Sequence, residues 1–391
     1  MNYKRIWVMV VTFITLMSCA DNSVTTDVVR NRIKPDTSGS DTIIVNVEDT
    51  SAYAFMDFVD SVRFIRLETS VECQIGHIDE VLFSDSVIVV VDKLNAKSVL
   101  LFNHDGKFIS RVSGQGNGPR EYLSLGPAHV ALYYDGSMLA IQDNQKNKCL
   151  WYDMAGHYLR TTDMTFRLGN WESVSENRFL HYADYRSGSE NAVFVMTDSA
   201  DVCTFSMEDS KNSIPKMVSS TIYRQGSRTI GHHLTENTVY QFDSGLPEAV
   251  CHITIMPDDI RNHKYRTVDA YFKNKRELPH LASNILVSDN AICFEVGVGR
   301  SFNQYIYFRN EHELYRIAYA YDNIHSCAFH SYITCLDDNW IVCYLEPSEI
   351  SYFIDHYQNS GIVDSWLSAM GQSPDRDDNP ILVLYHLKNR H

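Results

Sequence analysis

Four short apolar runs separated by polar turns constrain the fold of this chain more than any other feature. They occupy residues 78–83, 87–92, 98–103 and 107–112. Short strands at such spacing, with polar turns between them, are typical of β-sandwiches, barrels and propellers. The pattern therefore predicts a sheet of four consecutive antiparallel strands in the first third of the chain.

The same unit then recurs. Residues 101–109 align with residues 151–159, and Gly106 and Gly156 fall at the same place in the two turns. Four strands in a repeat of about 40–50 residues are typical of a β-propeller. Counting such units over residues 76–388 predicts an all-β fold, a six-bladed β-propeller.

Two stretches depart from the strand pattern and predict short helical insertions, near residues 258–274 and 348–371. The last unit has only two strands before the second insertion, which would leave exposed sheet edges. A C-terminal run at 380–387 and an N-terminal run at 62–67 supply the other two. We therefore expect the terminal blade to be closed by strands from both ends of the chain.

The N-terminus has the features of an export signal. Lys4 and Arg5 precede an apolar stretch at residues 6–16. A bilayer-spanning helix needs roughly 20 residues, so this stretch is too short to span and matches the length of a secretory signal.

The end of that stretch predicts a lipid anchor. Leu16, a small residue at position 18 and Cys19 resemble the lipobox of bacterial lipoproteins, in which the cysteine is acylated and becomes the first residue. Several acyl chains give stable membrane attachment. Because Ala20 does not resemble an inner-membrane retention signal, we expect the protein to be anchored in the cell envelope at the outer membrane. The sequence is compatible with either the periplasmic or the outer surface of that membrane.

These observations divide the chain into three segments. We expect a lipoprotein signal peptide at 1–18, a flexible polar tether at 19–42 and a propeller domain at 43–391. Eight cysteines follow Cys19, mostly in apolar runs. They are expected to be small buried residues, although an oxidising compartment also permits disulfides.

With these pieces the sequence resembles the six-bladed β-propeller lipoproteins, relatives of NHL-repeat and TolB-like propellers, over about residues 60–388. The resemblance is carried by FIRLET at 64–69, IGHI at 75–78, GQGNGPREY at 114–122 and DNPIL at 378–382. It implies a six-bladed ring, secretion and lipid anchoring, but no particular activity. Arg120 stands where the family often has glycine.

The glycine-rich segment gives the one pair of candidate ligand-binding residues. Its spacing, G-x-G-x-G-P, and the strand that follows differ from a dinucleotide fingerprint, so we predict a connection between blades. Arg120 and Tyr122 follow this loop. A propeller commonly binds ligands at such connections, where Arg120 could hold a carboxylate and Tyr122 could stack on a ligand. The alternative is that Tyr122 packs between blades.

No motif predicts catalysis, a metal or a cofactor. His232 and His233 are adjacent, and neighbouring side chains on a strand point to opposite faces. No Cys or His spacing fits zinc. The charge sum, 34 basic minus 49 acidic residues, is −15, so nucleic acid is not an expected partner.

We therefore expect a membrane-anchored, extracytoplasmic binding module rather than an enzyme, with a glycan, a peptide or an envelope protein as partner. The alternative is a metal-dependent hydrolase of the lactonase or esterase kind, with its site in the propeller channel. The ligands of such a metal would be scattered along the chain and would escape a motif search.

Overall fold

The computed structural model describes a set of ranges with gaps between them. These are residues 31–32, 36–112, 114–125, 129–163, 171–176, 178–183, 193–197, 202–206, 221–232, 237–242, 247–263, 270, 273–274, 276–318, 332–336, 339–356, 368, 370 and 375–389. In these ranges no helix has the length and apolar character to cross a membrane. The predicted signal peptide and Cys19 lie outside them and remain predictions.

The chain is all-β. In chain order the strands are β1 (Asn31–Arg32), β2 (Asp41–Asn46), β3 (Val59–Arg66), β4 (Glu80–Phe83), β5 (Ile88–Asp92), β6 (Ser98–Phe102), β7 (Phe108–Val112), β8 (His129–Leu132), β9 (Met138–Asp143), β10 (Lys148–Asp153), β11 (Tyr158–Asp163), β12 (Trp171–Ser175), β13 (Arg178–Ala183), β14 (Val193–Thr197), β15 (Val202–Ser206), β16 (Thr221–Gln225), β17 (Arg228–His232), β18 (Thr238–Gln241), β19 (Glu248–Met256), β20 (His280–Val287), β21 (Ala291–Val298), β22 (Ser301–Phe308), β23 (Glu313–Ile317), β24 (Tyr332–Cys335), β25 (Trp340–Leu345) and β26 (Ile381–Leu387).

Within the described residues these strands form six antiparallel meanders, which we number as sheets in chain order. Sheet 1 is β4-β5-β6-β7, sheet 2 is β8-β9-β10-β11, sheet 3 is β12-β13-β14-β15, sheet 4 is β16-β17-β18-β19, sheet 5 is β20-β21-β22-β23 and sheet 6 is β24-β25-β26-β3. The four predicted runs of the first unit are the strands of sheet 1, shortened by one or two residues. Successive strands pair with their neighbours because short turns favour antiparallel hairpins.

The core lies between neighbouring sheets. Every residue of β5 and β6 is buried, since both faces of these middle strands are covered. The apolar clusters each join two sheets: Leu101 with Val130 for sheets 1 and 2, Trp151 with Trp171 for sheets 2 and 3, Ile253 with Ile292 for sheets 4 and 5, Phe308 with Cys343 for sheets 5 and 6, and Val342 with Val90 for sheets 6 and 1. Face-to-face packing of four-stranded meanders makes the architecture propeller-like.

The first strands of these sheets are also neighbours. β8 lies beside β12, β12 beside β16, β16 beside β20, and β20 beside β24; β24 in turn lies beside β4. The last sheet therefore contacts the first, both through these strands and through the shared apolar cluster.

The repeated turn has the same structure in both copies. Gly106 has φ of +79° and Gly156 has φ of +84°, a conformation that glycine adopts without steric cost. In each turn a side-chain oxygen, from Asn103 or Asp153, accepts the backbone N–H four residues on, at 2.9 and 2.8 Å. The 50-residue repeat thus encodes one hairpin, used in sheets 1 and 2.

Both ends of the chain contribute to sheet 6, as the sequence predicted. β26 pairs with β25 on one side and with β3 on the other, with Ile381 opposite Arg66 and Tyr385 opposite Val62. A C-terminal strand therefore lies inside this sheet and an N-terminal strand forms its outer edge.

The N-terminal segment covers the outer edges of three further sheets, a feature that the sequence did not predict. β1 pairs parallel with β15 of sheet 3, β2 pairs parallel with β19 of sheet 4, and Tyr53 forms a parallel bridge with Ile317 of sheet 5. We call β1, β2, Tyr53 and β3 the belt. The predicted tether, 19–42, ends two residues inside β2.

The helical insertions are described in part. A helix, α1 (Pro347–His356), lies in the second predicted insertion, and a short 3₁₀ helix (Ile260–Asn262) lies in the first. Residues 264–269 and 357–367 lie outside the described residues. Six cysteines in the described ranges are buried thiols that form no disulfide: Cys73, Cys149, Cys251, Cys293, Cys335 and Cys343.

Candidate functional site

Two faces of the molecule need names before the site can be described. We call the edge where β4, β8 and β12 begin the connection face, and the edge where they end the turn face. On the connection face, Asp92 accepts a backbone N–H from Gly76 at 2.8 Å, and its counterpart Asp143 accepts one from Leu123 at 2.6 Å. The repeated aspartates thereby fix the incoming connections to sheets 1 and 2.

The glycine-rich loop of the connection face is filled by its own chain. The Lys146 ammonium donates to the carbonyl oxygens of Gly116 at 2.7 Å and Glu121 at 2.8 Å. The Gly118 N–H donates to the Glu121 carboxylate at 2.8 Å. A Cβ on Gly116 would collide with that carboxylate. Gly116 and Gly118 therefore leave the space in which the Glu121 carboxylate folds back onto the loop.

The structure separates the two candidate ligand residues. Tyr122 is fully buried between sheets 1 and 2, and its hydroxyl donates to the Lys97 carbonyl at 2.9 Å. Burial raises the pKa of Tyr122 to about 12. Arg120 is exposed, with its guanidinium 5.1 Å from the centre of the Tyr158 ring. Tyr122 occupies the core position that the sequence left as the alternative and presents no surface to a ligand. A ligand role for Arg120 remains a prediction.

A cluster of four ionisable side chains lies at the start of three successive first strands, and sequence reasoning missed it. Glu80 begins β4, His129 begins β8 and Glu172 is the second residue of β12, while Lys93 follows β5. The Lys93 ammonium lies 2.6 Å from Glu80 Oε1, and His129 Nε2 lies 2.8 Å from Glu172 Oε1. We call these residues the connection-face cluster.

Burial increases across the cluster. The exposed fraction of the side chain falls from 29% at Glu80 and 16% at Lys93 to 8% at His129 and 2% at Glu172. The cluster therefore contains one partly exposed ion pair, Lys93–Glu80, and one buried pair, His129–Glu172.

The electrostatics of the cluster favour a charged imidazole. Burial alone lowers the pKa of His129, because it removes the cation from water. The hydrogen bond to Glu172, together with the charges of Glu172 and Glu80, outweighs that effect, so the pKa of His129 is raised.

Two carboxylate oxygens of the cluster have no hydrogen-bond partner within the described part of the chain. They are Oε2 of Glu80 and Oε2 of Glu172, and both atoms are buried. Buried carboxylate oxygens normally accept hydrogen bonds, because leaving one unsatisfied costs about 1–3 kcal/mol or more for a charged group. These two atoms are therefore the strongest candidates for contact with a hydrogen-bond donor from outside the chain.

Gln142 holds the buried half of the cluster in place. It lies opposite His129 in the pairing of β8 and β9. Its side-chain amide forms two hydrogen bonds with the backbone of Trp171, the residue before Glu172. Its Nε2 donates to the Trp171 carbonyl at 2.8 Å, and its Oε1 accepts the Trp171 N–H at 3.2 Å. One amide side chain thus sets β12 against sheet 2 and places Glu172 beside His129.

A second buried histidine lies next to this cluster with the opposite electrostatic character. His181 is opposite Trp171 in β13, with ring centres 6.4 Å apart. Burial lowers the pKa of His181 to about 3, so the ring is neutral at physiological pH.

On the turn face, a side chain of sheet 4 is bound to the backbone of sheet 2. Arg224 of β16 donates to the carbonyl oxygens of Tyr133 and Tyr134, at 3.0 and 2.5 Å. It lines a cavity of about 10 Å³, room for about one water at most, together with residues of β4, β8 and β24. Residues of four first strands, β4, β8, β16 and β24, therefore line one small space.

A second cavity lies between the belt and sheets 4 and 5. It has a volume of about 440 Å³, and its polar lining includes Asp36, Glu248, Arg228 and Arg309. The guanidinium of Arg228 pairs with Asp289 outside the lining set. Acidic and basic groups are balanced here, so the chemistry of the groove selects neither an anion nor a cation.

Metal binding is not supported by any group of side chains in the described ranges: no three His, Cys, Asp or Glu residues there are placed to hold one ion. The expectation that the chain needs no metal or cofactor remains a prediction.

A weak sequence signal for the connection-face cluster existed, because Glu80 and His129 are polar residues at the start of otherwise apolar runs.

Comparison with known proteins identifies a family and a fold. The model of the family described as "Domain of unknown function (DUF4934)" matches residues 41–386. A search of curated proteins gave no match.

Two solved structures from Bacteroides resemble the chain. One, described as a "Putative exported protein" of Bacteroides fragilis, shares 14% identity with a TM-score of 0.69, covering 89% of this chain and 100% of that one. The other, a member of the duf4221 family from Bacteroides vulgatus, shares 9% identity with a TM-score of 0.47, covering 84% and 97%. The first likeness supports the fold alone.

Proposed function

The chain belongs to the DUF4934 family, and we propose that it is a six-bladed propeller, lipid-anchored outside the cytoplasm, that binds a ligand at its connection face without transforming it. The six meanders would be the blades, and sheet 6, shared by both chain ends, would close the ring.

Support for the ring comes from the contact between the last sheet and the first. β24 lies beside β4, and Val342 of sheet 6 shares a buried cluster with Val90 of sheet 1. The small cavity beside Arg224 also supports a ring, because it is lined by residues of β4, β8, β16 and β24. A ring of blades brings all first strands to one axis.

Support for anchoring comes from the sequence. The lipobox-like order ending at Cys19 follows a short apolar stretch, and acylation of that cysteine would fix the chain to the envelope membrane. The outer membrane is the proposed site, with the domain on either side of it. The fold likeness to a protein described as exported is consistent with this location.

The observation that carries the binding proposal is the pair of buried carboxylate oxygens, Glu80 Oε2 and Glu172 Oε2, which lie near His129, whose pKa is raised by the hydrogen bond to Glu172 and by the charges of the two glutamates. At the turn-face end of the first strands, the Arg224 guanidinium is bound to the carbonyl oxygens of Tyr133 and Tyr134. A ligand would therefore arrive and leave through the connection face.

The chemistry of the cluster selects a ligand that donates hydrogen bonds. Carboxylate oxygens accept only, and His129 is already paired with Glu172. Sugar hydroxyl groups are hydrogen-bond donors that add no charge. We propose the end of a glycan as the ligand class, in preference to a peptide or a protein partner.

The proposal is tested by titrating glycans into the soluble chain. A panel of neutral and amino-sugar oligosaccharides is screened by thermal shift, and hits are measured by calorimetry. Glu172→Gln and Glu80→Gln each turn one acceptor oxygen into a donor and are expected to weaken binding at least tenfold, or about 1.4 kcal/mol. Glu248→Gln, at the exposed first residue of β19, is the control and should bind as the parent does. Binding that is equal in all four proteins would contradict the proposed site.

A lactonase-like or esterase-like hydrolase is the second candidate, because two carboxylates and a histidine lie on three successive first strands, although no three such side chains in the described ranges are placed to hold one ion. A metal bound to the folded chain would stabilise it by mass action. A melting temperature that falls with EDTA and recovers with calcium or zinc, together with metal-dependent hydrolysis of lactones or aryl esters, would replace the binding proposal with this one.

A further inference from the structure

The middle hairpin of sheet 5 is longer than that of sheet 1, and its extra length lies at the connection face. Ser84 and Ser288 form the same turn before the second strand: each donates its backbone N–H to a carbonyl oxygen three residues on, at 2.9 Å, and each hydroxyl also donates to that oxygen. Counted from this shared turn, β5 ends at Asp92, whereas β21 continues for two more residues, to Val298. The added residues are paired with β22, so they extend the sheet itself.

One row of residues crosses this extra length. His280 of β20 is opposite Gly297 of β21, and Gly297 is opposite Phe302 of β22, so the three positions share one face of sheet 5. A Cβ on Gly297 would collide with the imidazole of His280, so the glycine leaves the space that this ring occupies. The row therefore carries two rings, with a residue that has no side chain between them.

Phe302 is supported on one side and open on the other. Its ring centre lies 6.3 Å from that of His280, with an angle of 80° between the planes, which is an edge-to-face contact. His280 is 5% exposed, whereas Phe302 is 53% exposed. A buried imidazole thus packs against a phenyl ring that keeps about half of its surface in solvent. Covering that apolar surface would be favourable, by about 25 cal/mol for each Å² removed from water.

The row starts at the position that the connection-face cluster uses in other sheets. His280 is the first residue of β20, as Glu80 is of β4 and His129 is of β8. From there the row runs across two strand spacings, about 10 Å, to the third strand of sheet 5. The connection face therefore carries hydrogen-bond acceptors at the first strands of sheets 1 and 3 and an exposed aromatic ring at the third strand of sheet 5.

We propose that Phe302 is a stacking platform for a second part of the glycan whose end is held by the connection-face cluster, so that the ligand is an oligosaccharide rather than a single sugar. This inference rests on the proposed function. A pyranose ring carries hydroxyl groups at its rim and apolar C–H groups on its faces, so it can pack on an aromatic ring while its hydroxyl groups stay in water. The cluster would supply hydrogen-bond acceptors to one end of the chain of sugars, and Phe302 would supply apolar contact further along it.

Calorimetry on the soluble chain carrying Cys19→Ser tests this with cello-, xylo-, manno- and chito-oligosaccharides, each as a disaccharide and as a hexasaccharide. In the series that binds, the parent should hold the hexasaccharide at least tenfold more tightly than the disaccharide. Phe302→Ala is expected to lower the affinity for the hexasaccharide about tenfold and to leave that for the disaccharide unchanged. Phe302→Tyr keeps the ring and should bind both as the parent does. Leu159→Ala is the matched control, because Leu159 is 47% exposed and lies on the outer strand β11.

The outcomes separate the platform from the proposed function. Phe302→Ala that binds both lengths as the parent does, together with Glu172→Gln that weakens both, would overturn the platform and leave the proposed function standing. An equal loss of disaccharide and hexasaccharide binding in Phe302→Ala would also overturn it, since Phe302 would then act on the fold of the site. If no oligosaccharide of the panel binds, or if Glu172→Gln binds both lengths as the parent does, the proposed function fails and this inference fails with it.

Discussion

His129 Nε2 lies 2.8 Å from Glu172 Oε1, and this contact joins the first strands of sheets 2 and 3. Both side chains are buried, so the protonation of His129 affects the packing of sheet 2 against sheet 3. A buried pair of this kind is costly to break from one side, because the remaining charge has no water to solvate it.

The first prediction concerns the pH dependence that His129 gives to stability. The pKa of His129 is raised in the folded state, so its stabilising contribution is complete below the unfolded value of about 6.5 and is lost as pH rises through the folded pKa. His129→Gln is therefore expected to destabilise most at low pH. Urea unfolding at intervals from pH 6 to pH 9 should show the gap between the parent and the variant narrowing. A constant gap would mean that His129 is neutral in the fold.

His181 predicts the opposite slope. Its folded pKa is lowered to about 3, so the unfolded chain takes up a proton below about pH 6.5 while the folded chain does not. Stability is therefore lost as pH falls, by about 2 kcal/mol between pH 7 and pH 5. His181→Gln should remove that loss, and unfolding free energies of the variant at the two pH values should differ by about 2 kcal/mol less than those of the parent. An unchanged slope would contradict the burial of a neutral ring.

The strands were predictable because their signal is local. β5 and β6 are continuous apolar runs bounded by turn residues, and the aligned glycines at 106 and 156 mark the same hairpin twice. The pairing of β26 with β3 was also predictable, because the last unit of the sequence has only two strands and needs two more to complete a four-stranded sheet.

The connection-face cluster was not predictable, because its members meet only through packing of whole sheets. His129 and Glu172 are 43 residues apart, and neither belongs to a motif. The belt escaped prediction for a different reason. Its pairing with β15 and β19 uses backbone groups, which every residue carries, so a polar composition at residues 36–42 indicated a tether instead.

The third prediction concerns the repeated glycine in the turn of sheet 1. Gly106 has φ of +79°, and a Cβ there would collide with the backbone carbonyl oxygen of Arg66 in β3. Gly106→Ala therefore strains the turn and pushes against sheet 6 at once. It should lower the free energy of unfolding by about 2 kcal/mol or more. Gly39→Ala is the control, since no atom lies within 4 Å of its added Cβ, and it should change stability by less than about 0.5 kcal/mol. Equal effects of the two substitutions, measured by denaturant unfolding, would exclude the strained contact.

The fourth prediction concerns the C-terminal strand. Deleting residues 380–391 removes β26 from between β25 and β3 and leaves both of these strands with unpaired edges. The truncated chain is expected to aggregate or to unfold without a single cooperative transition. A chain lacking residues 390–391 keeps the whole of β26 and should melt as the parent does. A cooperative and unshifted melting curve for the longer deletion would show that sheet 6 does not hold the two chain ends together.

The last prediction concerns Cys19. The residues before it have the order of a lipobox, and acylation requires the thiol, so Cys19→Ser should yield a protein that is no longer anchored by lipid. Ser18→Ala keeps a small residue before the cysteine and is the matched control. Detergent-phase partitioning of cell extracts measures the outcome: the parent and Ser18→Ala should enter the detergent phase, and Cys19→Ser should be depleted from it. Equal partitioning of Cys19→Ser and the parent would refute lipid attachment at this residue, whatever the fold of the domain that follows.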